Sequence, residues 1–492
     1  MKKNNDKKEI NKKNIKKNNI KEFFRDKNIL VMGLGKTGIS VINKLSGIAG
    51  SIKAIDVNPY LDIEDKFEKV KKLGDFNLEI ILDEKINENE RVLDSIELII
   101  ISPGISNDIP IIKKADELGI PIWSEIELAW TMLSDNEKLN TIAVTGTNGK
   151  TTVVTLIEKI LNDCRRKAVV CGNIGNPLIN TLNSCEDPGI IRVMEISSFQ
   201  LERITSFKPH VGIILNITND HIDRHYSMDS YADLKFKLFL NMGSKDYGIF
   251  NIDDEFTNKK LAGNNYFKNT GLNIISFSLD SDKNADIFYK NNEISYKIGL
   301  LNGVIDISNI LLKGEHNILN IIASIAAVKI FGVEDASLTN TISSFKTLEH
   351  RMEYIGTVKR IKCFNDSKAT NPDATIKALQ SFNKEVTLIL GGKDKKMDFG
   401  QLLPFFDEKV LNLILIGETK YKIFDILKKH KLKNYKVYLC NSFEEAVDKG
   451  FEVTESGKVL LLSPACASFD MFKDYKDRGE KFKNLILKIK AR

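Results

Sequence analysis

At 492 residues the chain is too long for one ordinary hydrophobic core, and roughly 100–200 residues per domain gives about three. Hydrophobic residues at 42% and charged residues at 28% sit near the soluble globular average, and no stretch approaches the roughly 20 apolar residues of a membrane helix, which excludes membrane-spanning classes. The formal net charge of +6 does not make the folded body a nucleic-acid binder: nine Lys and Arg25 against Asp6, Glu9 and Glu22 put +7 into residues 1–25, leaving −1 for the rest.

Residues 1–25, rich in Lys and Asn, hold too few apolar side chains to offset the entropy of ordering them, so a disordered tail is expected. The tail has no apolar segment of the secretory type. Six cysteines (Cys164, Cys171, Cys185, Cys363, Cys440, Cys466) are scattered without a C-x-x-C, which argues against a disulfide framework or zinc knuckle and for a reducing cytoplasm.

From Asn28 short apolar runs, at 29–32 and 98–101, alternate with helix-length polar stretches, the pattern of βαβ units on a parallel sheet. Gly33-Leu34-Gly35-Lys36-Thr37-Gly38 lies between the first run and a helix-like stretch, and Asp56 ends the next strand about 20 residues on. Glycines there let the backbone approach a diphosphate at a helix N-terminus, while the acid takes a ribose hydroxyl. The pattern alone does not separate NAD from a UDP-sugar. Ser102-Pro103-Gly104 falls at the carboxyl end of another strand of the same sheet, where open sheets bind ligands.

A second α/β unit starts with the run 141–144, followed by Thr145-Gly146-Thr147-Asn148-Gly149-Lys150-Thr151-Thr152 and the amphipathic stretch 152–161. The loop amides can cradle phosphates, Lys150 neutralises them and the Thr151 hydroxyl can coordinate Mg²⁺. This is a shortened form of the usual phosphate loop, because Val144 stands where the first glycine belongs and Gly146 replaces it. Glu195 ends a later apolar strand, and Asn216-Ile217-Thr218-Asn219-Asp220-His221 follows the next. Hard oxygen ligands converging above the loop suit Mg²⁺, with two metal positions near a triphosphate. A third unit opens near Leu348, with strand-like runs at 386–390, 411–416 and 459–462. The expected fold is α/β in three domains: a tail to residue 25, a Rossmann-like domain over 26–137, a central ATPase-like parallel-sheet domain over 138–347 and a Rossmann-like domain over 348–492.

Together these residues resemble the Mur ligase family, and the resemblance continues through Gly172-Asn173-Ile174-Gly175, Gly314-Glu315-His316-Asn317-Ile318-Leu319-Asn320, Leu348-Glu349-His350-Arg351, Asn365-Asp366-Ser367-Lys368-Ala369-Thr370-Asn371 and Ser463-Pro464-Ala465-Cys466-Ala467-Ser468. It implies a cytoplasmic, monomeric ATP-dependent amide ligase of peptidoglycan precursor synthesis. Its substrates would be UDP-N-acetylmuramoyl-L-alanine and D-glutamate, with neither nucleic acid nor membrane as partner. Residue by residue, it implies that Lys36, Thr37, Asp56 and Gly104 hold the uridine diphosphate. Gly146, Thr147, Asn148, Gly149, Lys150, Thr151 and Thr152 cradle the ATP phosphates, Asn317 and Asn320 face the adenine, and Arg351 and Asp366 reach ATP from the third domain. Thr151 and Glu195 complete one Mg²⁺ site and His221 a second, and Lys235 is carboxylated to a metal-bridging carbamate. Asn173 and His221 lie near the reacting carbonyl, and Lys368, Thr370, Lys395 and Ser468 surround the incoming glutamate.

Two positions depart from the family pattern: Lys396 stands where glycine is frequent, and Tyr475 where a Phe can occur. With sites spread over three domains, the free form is expected to be open and to close over ATP. A folate polyglutamate synthetase would lack the loop at 33–38, an NAD oxidoreductase would leave the loop at 146–152 without a use, and a non-catalytic nucleotide binder would not need Lys150, Glu195 and His221 together.

Overall fold

In a computed structural model the alternation resolves into three sheets flanked by helices; the structure describes residues 20–61, 77–184, 187, 189–220, 222–263, 267, 270–312, 314–345, 349–383, 386–395, 397–430 and 435–491. Residues 1–19 of the expected tail lie outside the described residues, as do His221 and Lys396. The tail is shorter than expected. Ile20–Phe24 is a helical turn, because Phe24 is fully buried in the first core and Phe23 stacks on Trp123 at 6.2 Å.

The first sheet, in the order β3-β2-β1-β4-β5, is all parallel and comprises β1 (Asn28–Met32), β2 (Ser51–Asp56), β3 (Leu78–Leu82), β4 (Leu98–Ile101) and β5 (Ile122–Ser124). The strand order reverses between β1 and β4, and there a doubly wound sheet leaves its binding crevice. Gly33 (φ +87°) turns the chain out of β1, and the Ser102 hydroxyl donates to its carbonyl at 3.0 Å, so the two loops after β1 and β4 form one wall.

The second sheet has nine strands: β6 (Thr141–Thr145), β7 (Ala168–Gly172), β8 (Ile191–Glu195), β9 (Val211–Ile214), β10 (Tyr247–Asn251), β11 (Asn273–Ser278), β12 (Ile287–Lys290), β13 (Glu293–Ile298) and β14 (Leu301–Asp306). Its order is β14-β13-β12-β11-β10-β9-β6-β8-β7, parallel from β7 to β12. The expected parallel sheet therefore carries an antiparallel edge. The two-residue loop Asn291-Asn292, both at positive φ, is a hairpin turn that asparagine supports. Every residue of β6 is buried, as a strand covered on both faces requires.

The third sheet, β15-β16-β20-β17-β18-β19, comprises β15 (Glu353–Val358), β16 (Ile361–Asn365), β17 (Val386–Gly391), β18 (Val410–Ile416), β19 (Lys436–Leu439) and β20 (Val459–Leu462), with only β15 antiparallel. Its cores, around Phe399 and Phe406 on one face and Phe443 and Phe482 on the other, are its own. The first two sheets instead share one apolar cluster that includes Phe24, Trp130, Phe207, Tyr231 and Phe250. Among the described residues no helix is long and apolar enough to cross a membrane.

Candidate active site

The phosphate loop joins β6 to the helix Lys150–Asp163, and its backbone is fixed by the segment after β9. Thr147 N–H donates to Asn216 O at 2.9 Å, Asn148 N–H to Asn216 Oδ1 at 2.8 Å, and the Thr147 hydroxyl to Thr218 O at 3.1 Å. Gly149 (φ +88°) is the position that tolerates no side chain, since a Cβ there would lie 2.4 Å from Asn320 Oδ1. The loop is thus preset. Lys150 Nζ arches back over it, donating at 2.7 Å to the carbonyls of both Gly146 and Thr147.

Because β8 neighbours β6 in register, Glu195 at its end stands beside the loop. Thr151 Oγ1 donates to Glu195 Oε2 at 2.7 Å, and Asn173, after β7, donates to Oε1 at 3.0 Å. Burial would raise the Glu195 carboxyl, but Lys150 and Lys368, with these two hydrogen bonds, hold it below the ordinary carboxylate value. Burial lowers the Lys150 ammonium, while Glu195 and Asp220 pull it back up. A hydroxyl and an ionised carboxylate, both hard oxygen donors, fit Mg²⁺.

Lys235 lies beneath the loop, 1% exposed, donating to Gly146 O at 3.0 Å with its Nζ 4.3 Å from the Tyr231 ring centre. Burial, reinforced by Lys150, puts its amine well below the usual lysine range.

The third unit reaches across from the opposite side. Lys368 Nζ donates to Thr151 Oγ1, Asn371 Nδ2 to Asp220 Oδ2 at 3.2 Å, and Lys395 Nζ stands 3.9 Å from Asp220 Oδ1. Asp373 Oδ2 accepts from Asn148 Nδ2 at 2.5 Å and from the Thr218 hydroxyl at 3.0 Å. The expected open form is therefore not what the structure shows: polar groups on both sides of the cleft satisfy one another and draw it closed. Burial, with Arg351 and Lys150 adding repulsion, brings the Lys368 ammonium down to about 7. Burial pushes the Asp366 carboxyl up to about 7, against hydrogen bonds from the Ser463 hydroxyl at 2.8 Å and Met352 N–H at 3.1 Å.

These groups line a cleft of about 800 Å³. It gathers Thr147 to Thr152, Asn173, Glu195, Asn317, Asn320, Arg351, Asp366, Lys368 and Thr370. The Arg351 Nε and Thr152 hydroxyl are buried on it with no partner among the described residues, as donors awaiting an anionic guest would be. Gly146 belongs to the loop itself, while Lys395, Ser468 and Lys235 are not part of the cleft lining. Ser468 is buried and its carbonyl accepts from Met471 and Phe472 N–H, which fixes the turn after β20.

The uridine-diphosphate candidates form a separate group on the first sheet. Lys36 Nζ donates across the domain boundary to Gly175 O, next to Asn173. Thr37 is half-buried at the start of the helix Lys36–Leu45, and Gly104 is exposed on the loop after β4. Asp56 has another use besides: its carboxylate accepts from Leu34 N–H at 2.6 Å and Asn58 N–H at 2.9 Å, so it shapes the glycine loop.

Sequence reasoning missed His316, Lys377 and Asp373, which also line the cleft. His316 opens the helix Glu315–Ile330, and burial with nearby Lys377 and Arg351 lowers its imidazole to about 4, so it is neutral at physiological pH. Asp373 had a signal, as the first-turn acid at N2 of the helix-start pattern Asn371-Pro372-Asp373, but only the cross-cleft partners reveal its role.

Family models match the chain in three consecutive blocks: a Mur ligase MurD-like N-terminal domain over residues 27–124, a Mur ligase middle domain over 144–328 and a Mur ligase glutamate ligase domain over 350–466. A UDP-N-acetylmuramoylalanine--D-glutamate ligase of Caldanaerobacter subterraneus is 37% identical over 95% of this chain and 99% of its own length. A protein of the same name from Clostridioides difficile is 36% identical, again over 95% and 99%. Among solved structures, MurF from Acinetobacter baumannii aligns with a TM-score of 0.58 at 15% identity, over 94% of this chain and 90% of that one. The UDP-N-acetylmuramate-alanine ligase of Thermotoga maritima aligns at 0.54 and 19%, over 94% and 99%; these two likenesses speak for the fold alone.

Proposed function

The chain belongs to the Mur ligase family, and from that premise we infer that it is an ATP-dependent ligase that adds D-glutamate to UDP-N-acetylmuramoyl-L-alanine in peptidoglycan precursor synthesis. The observation that carries this reading is similarity to D-glutamate ligases along almost the whole chain, with all three domains in order. In this reading the ligase works as a monomer in the cytoplasm on a nucleotide sugar.

A carboxylate resists attack by an amine because its leaving group would be oxide. In this reading a carboxylate oxygen of the alanyl group attacks the γ-phosphorus of ATP, the bond to ADP breaks, and an acyl phosphate results. Catalysis of such a transfer is mostly positioning and charge neutralisation. The loop amides from Gly146 to Thr151 hold the phosphates, Lys150 moves from its own-loop carbonyls onto them, and Lys368 and Arg351 supply charge from the opposite wall. Thr151 and Glu195 would hold Mg²⁺, which would supply further neutralisation of the phosphate oxygens, and His221 is assigned to a second such site. The buried Lys235 amine, held well below the usual lysine range, is suited to add CO₂ and, with loss of one proton, become a carbamate anion.

The glutamate amine then attacks the acyl carbon, loses a proton and expels phosphate. Asn173, fixed by its bond to Glu195, is assigned to this carbonyl, and Lys368, Thr370, Lys395 and Ser468 to the glutamate. Asn317 and Asn320 take the adenine end. Lys36, Thr37, Asp56 and Gly104 take the uridine diphosphate. Domain limits near 137 and 347 separate these tasks.

The test is phosphate release from ATP and Mg²⁺ with UDP-N-acetylmuramoyl-L-alanine, comparing D-glutamate, L-glutamate, L-lysine and no amino acid. Release that needs both the nucleotide substrate and D-glutamate supports the reading. Release with L-lysine, or none with any acceptor, sinks it.

A further inference from the structure

The loop after β4, residues 102–108, forms one wall of the nucleotide crevice, yet it takes much of its support from the second domain. Arg224 Nη2 donates to Ile105 O at 2.6 Å, and Nη1 lies 3.5 Å from Gly104 O. Glu202 Oε2 accepts from Asn107 Nδ2 at 2.6 Å, Arg203 Nε donates to Asn107 Oδ1 at 2.8 Å, and the Tyr226 hydroxyl donates to Asp108. The guanidinium of Arg224 is itself immobilised. Glu202 accepts from its Nη2 at 2.7 Å and its Nε at 3.3 Å, and its Cζ sits over the Phe199 ring, 4.6 Å from the ring centre. Arg224 is 16% exposed and Glu202 9%, so this is a shielded, charge-assisted fork rather than a surface pair.

We infer that Arg224, oriented by Glu202, is a positioning residue for the nucleotide substrate: it sets the Gly104 loop against the Gly33 loop. The chemistry follows from the fork. Two carbonyls of a substrate-facing loop are pinned by one planar donor group, which a single ammonium cannot reproduce. The segment that carries Arg224 also begins at the end of the strand-end stretch running to Asp220, which faces the phosphate loop. Asp220 on the phosphate side and Arg224 on the nucleotide side are thus only four positions apart in the sequence.

This inference rests on the proposed function and is tested on the full-length enzyme with Arg224→Met, Arg224→Lys, Glu202→Gln and the double variant Arg224→Met/Glu202→Gln. KM is measured separately for UDP-N-acetylmuramoyl-L-alanine, ATP and D-glutamate, with thermal melts alongside. Loss of a charge-assisted contact that orders the loop should raise the nucleotide KM about tenfold or more in Arg224→Met, with the other two KM values within about twofold. Arg224→Lys should recover part of the loss, and the double variant should be no worse than Arg224→Met alone. Should Arg224→Met not fold, Glu202→Gln must still raise the nucleotide KM. An unchanged nucleotide KM, or all three KM values and kcat moving together, would overturn the inference. A wild type indifferent to UDP-N-acetylmuramoyl-L-alanine would overturn the proposed function and this inference with it, whereas a responsive wild type with unresponsive variants overturns this inference alone.

Discussion

Between the first and second sheets, Phe24, Trp130, Phe207 and Tyr231 belong to one continuous apolar cluster, and the buried carboxylate of Glu127 accepts from Thr205 N, Ser206 N and Phe207 N at 2.7–2.9 Å. Between the second and third sheets the contacts are polar: Lys368 to Thr151, Asn371 to Asp220, and Asp373 to Asn148 and Thr218. Separating the first pair would expose apolar surface at about 25 cal/mol per Å², whereas the polar contacts of the second exchange for water or substrate at little net cost. One joint is therefore built to stay and the other to open and close. In the proposed reading, with the acceptor nucleotide on the fixed side and the closing charges on the moving side, one motion would both admit ATP and exclude water.

The comparison can be attacked first at the chemistry it serves. Lys150→Ala should lower kcat by about a thousandfold or more, because a preorganised cation on the transferring phosphate is lost. The melting temperature should hold within a few degrees, since the hydrogen bonds of Lys150 among the described residues go to its own loop. Steady-state kinetics and a thermal melt decide it, and a large fall in melting temperature would mean the loop is not preset.

At the fixed joint, Glu127→Ala strands three backbone donors, of which the Phe207 N–H is buried, and should cost about 2–4 kcal/mol, read from the urea midpoint. The surviving folded enzyme should keep wild-type KM values.

Glu125 sharpens the same joint through pH. Burial raises its carboxyl to about 7, only partly offset by the Ile179 N–H that donates to it at 2.6 Å. The unfolded value is near 4.5, so the native state holds the extra proton; this contribution is full below about 4.5 and is lost as pH rises through about 7. Glu125→Gln should therefore gain stability over the wild type as pH rises from 5 to 8, by about 1–3 kcal/mol. A gap that does not change with pH would place the ionised form in the native joint.

At the moving joint the smallest effect is expected. Asp373→Asn should change stability by less than about 1 kcal/mol and raise the KM for ATP a few-fold, while the free enzyme shifts toward a larger radius of gyration by small-angle scattering. A loss of stability as large as that of Glu127→Ala would erase the distinction between the joints.

Much of this was legible in the sequence because glycine loops and strand ends are local. The loops at 33–38 and 146–152 and Glu195 at the end of β8 can be read from short spacings, while Arg351, Asp366 and Lys368 come from the family resemblance, and the structure brings the last five groups of that set to one cleft. What was not legible depends on partners distant in sequence. Asp373 meets Asn148 across 225 positions, and Arg224 meets Gly104 across 120. Asp56 reads as a ribose ligand, and its bond to Leu34 N–H, which shapes the glycine loop, is seen only in the fold. The tail limit at residue 25 was set by composition, which does not register that one phenylalanine, Phe24, finds a core. The antiparallel edge at β13 and β14 escaped because alternation of strands and helices predicts only the parallel part.

The most direct test of the central claim is oxygen transfer. With UDP-N-acetylmuramoyl-L-alanine carrying ¹⁸O in both carboxylate oxygens, the account predicts one ¹⁸O in each phosphate released during D-glutamate addition, because the acyl oxygen bonded to phosphorus leaves with it. Unlabelled phosphate from a turnover that makes the amide would contradict the acyl phosphate and the mechanism built on it.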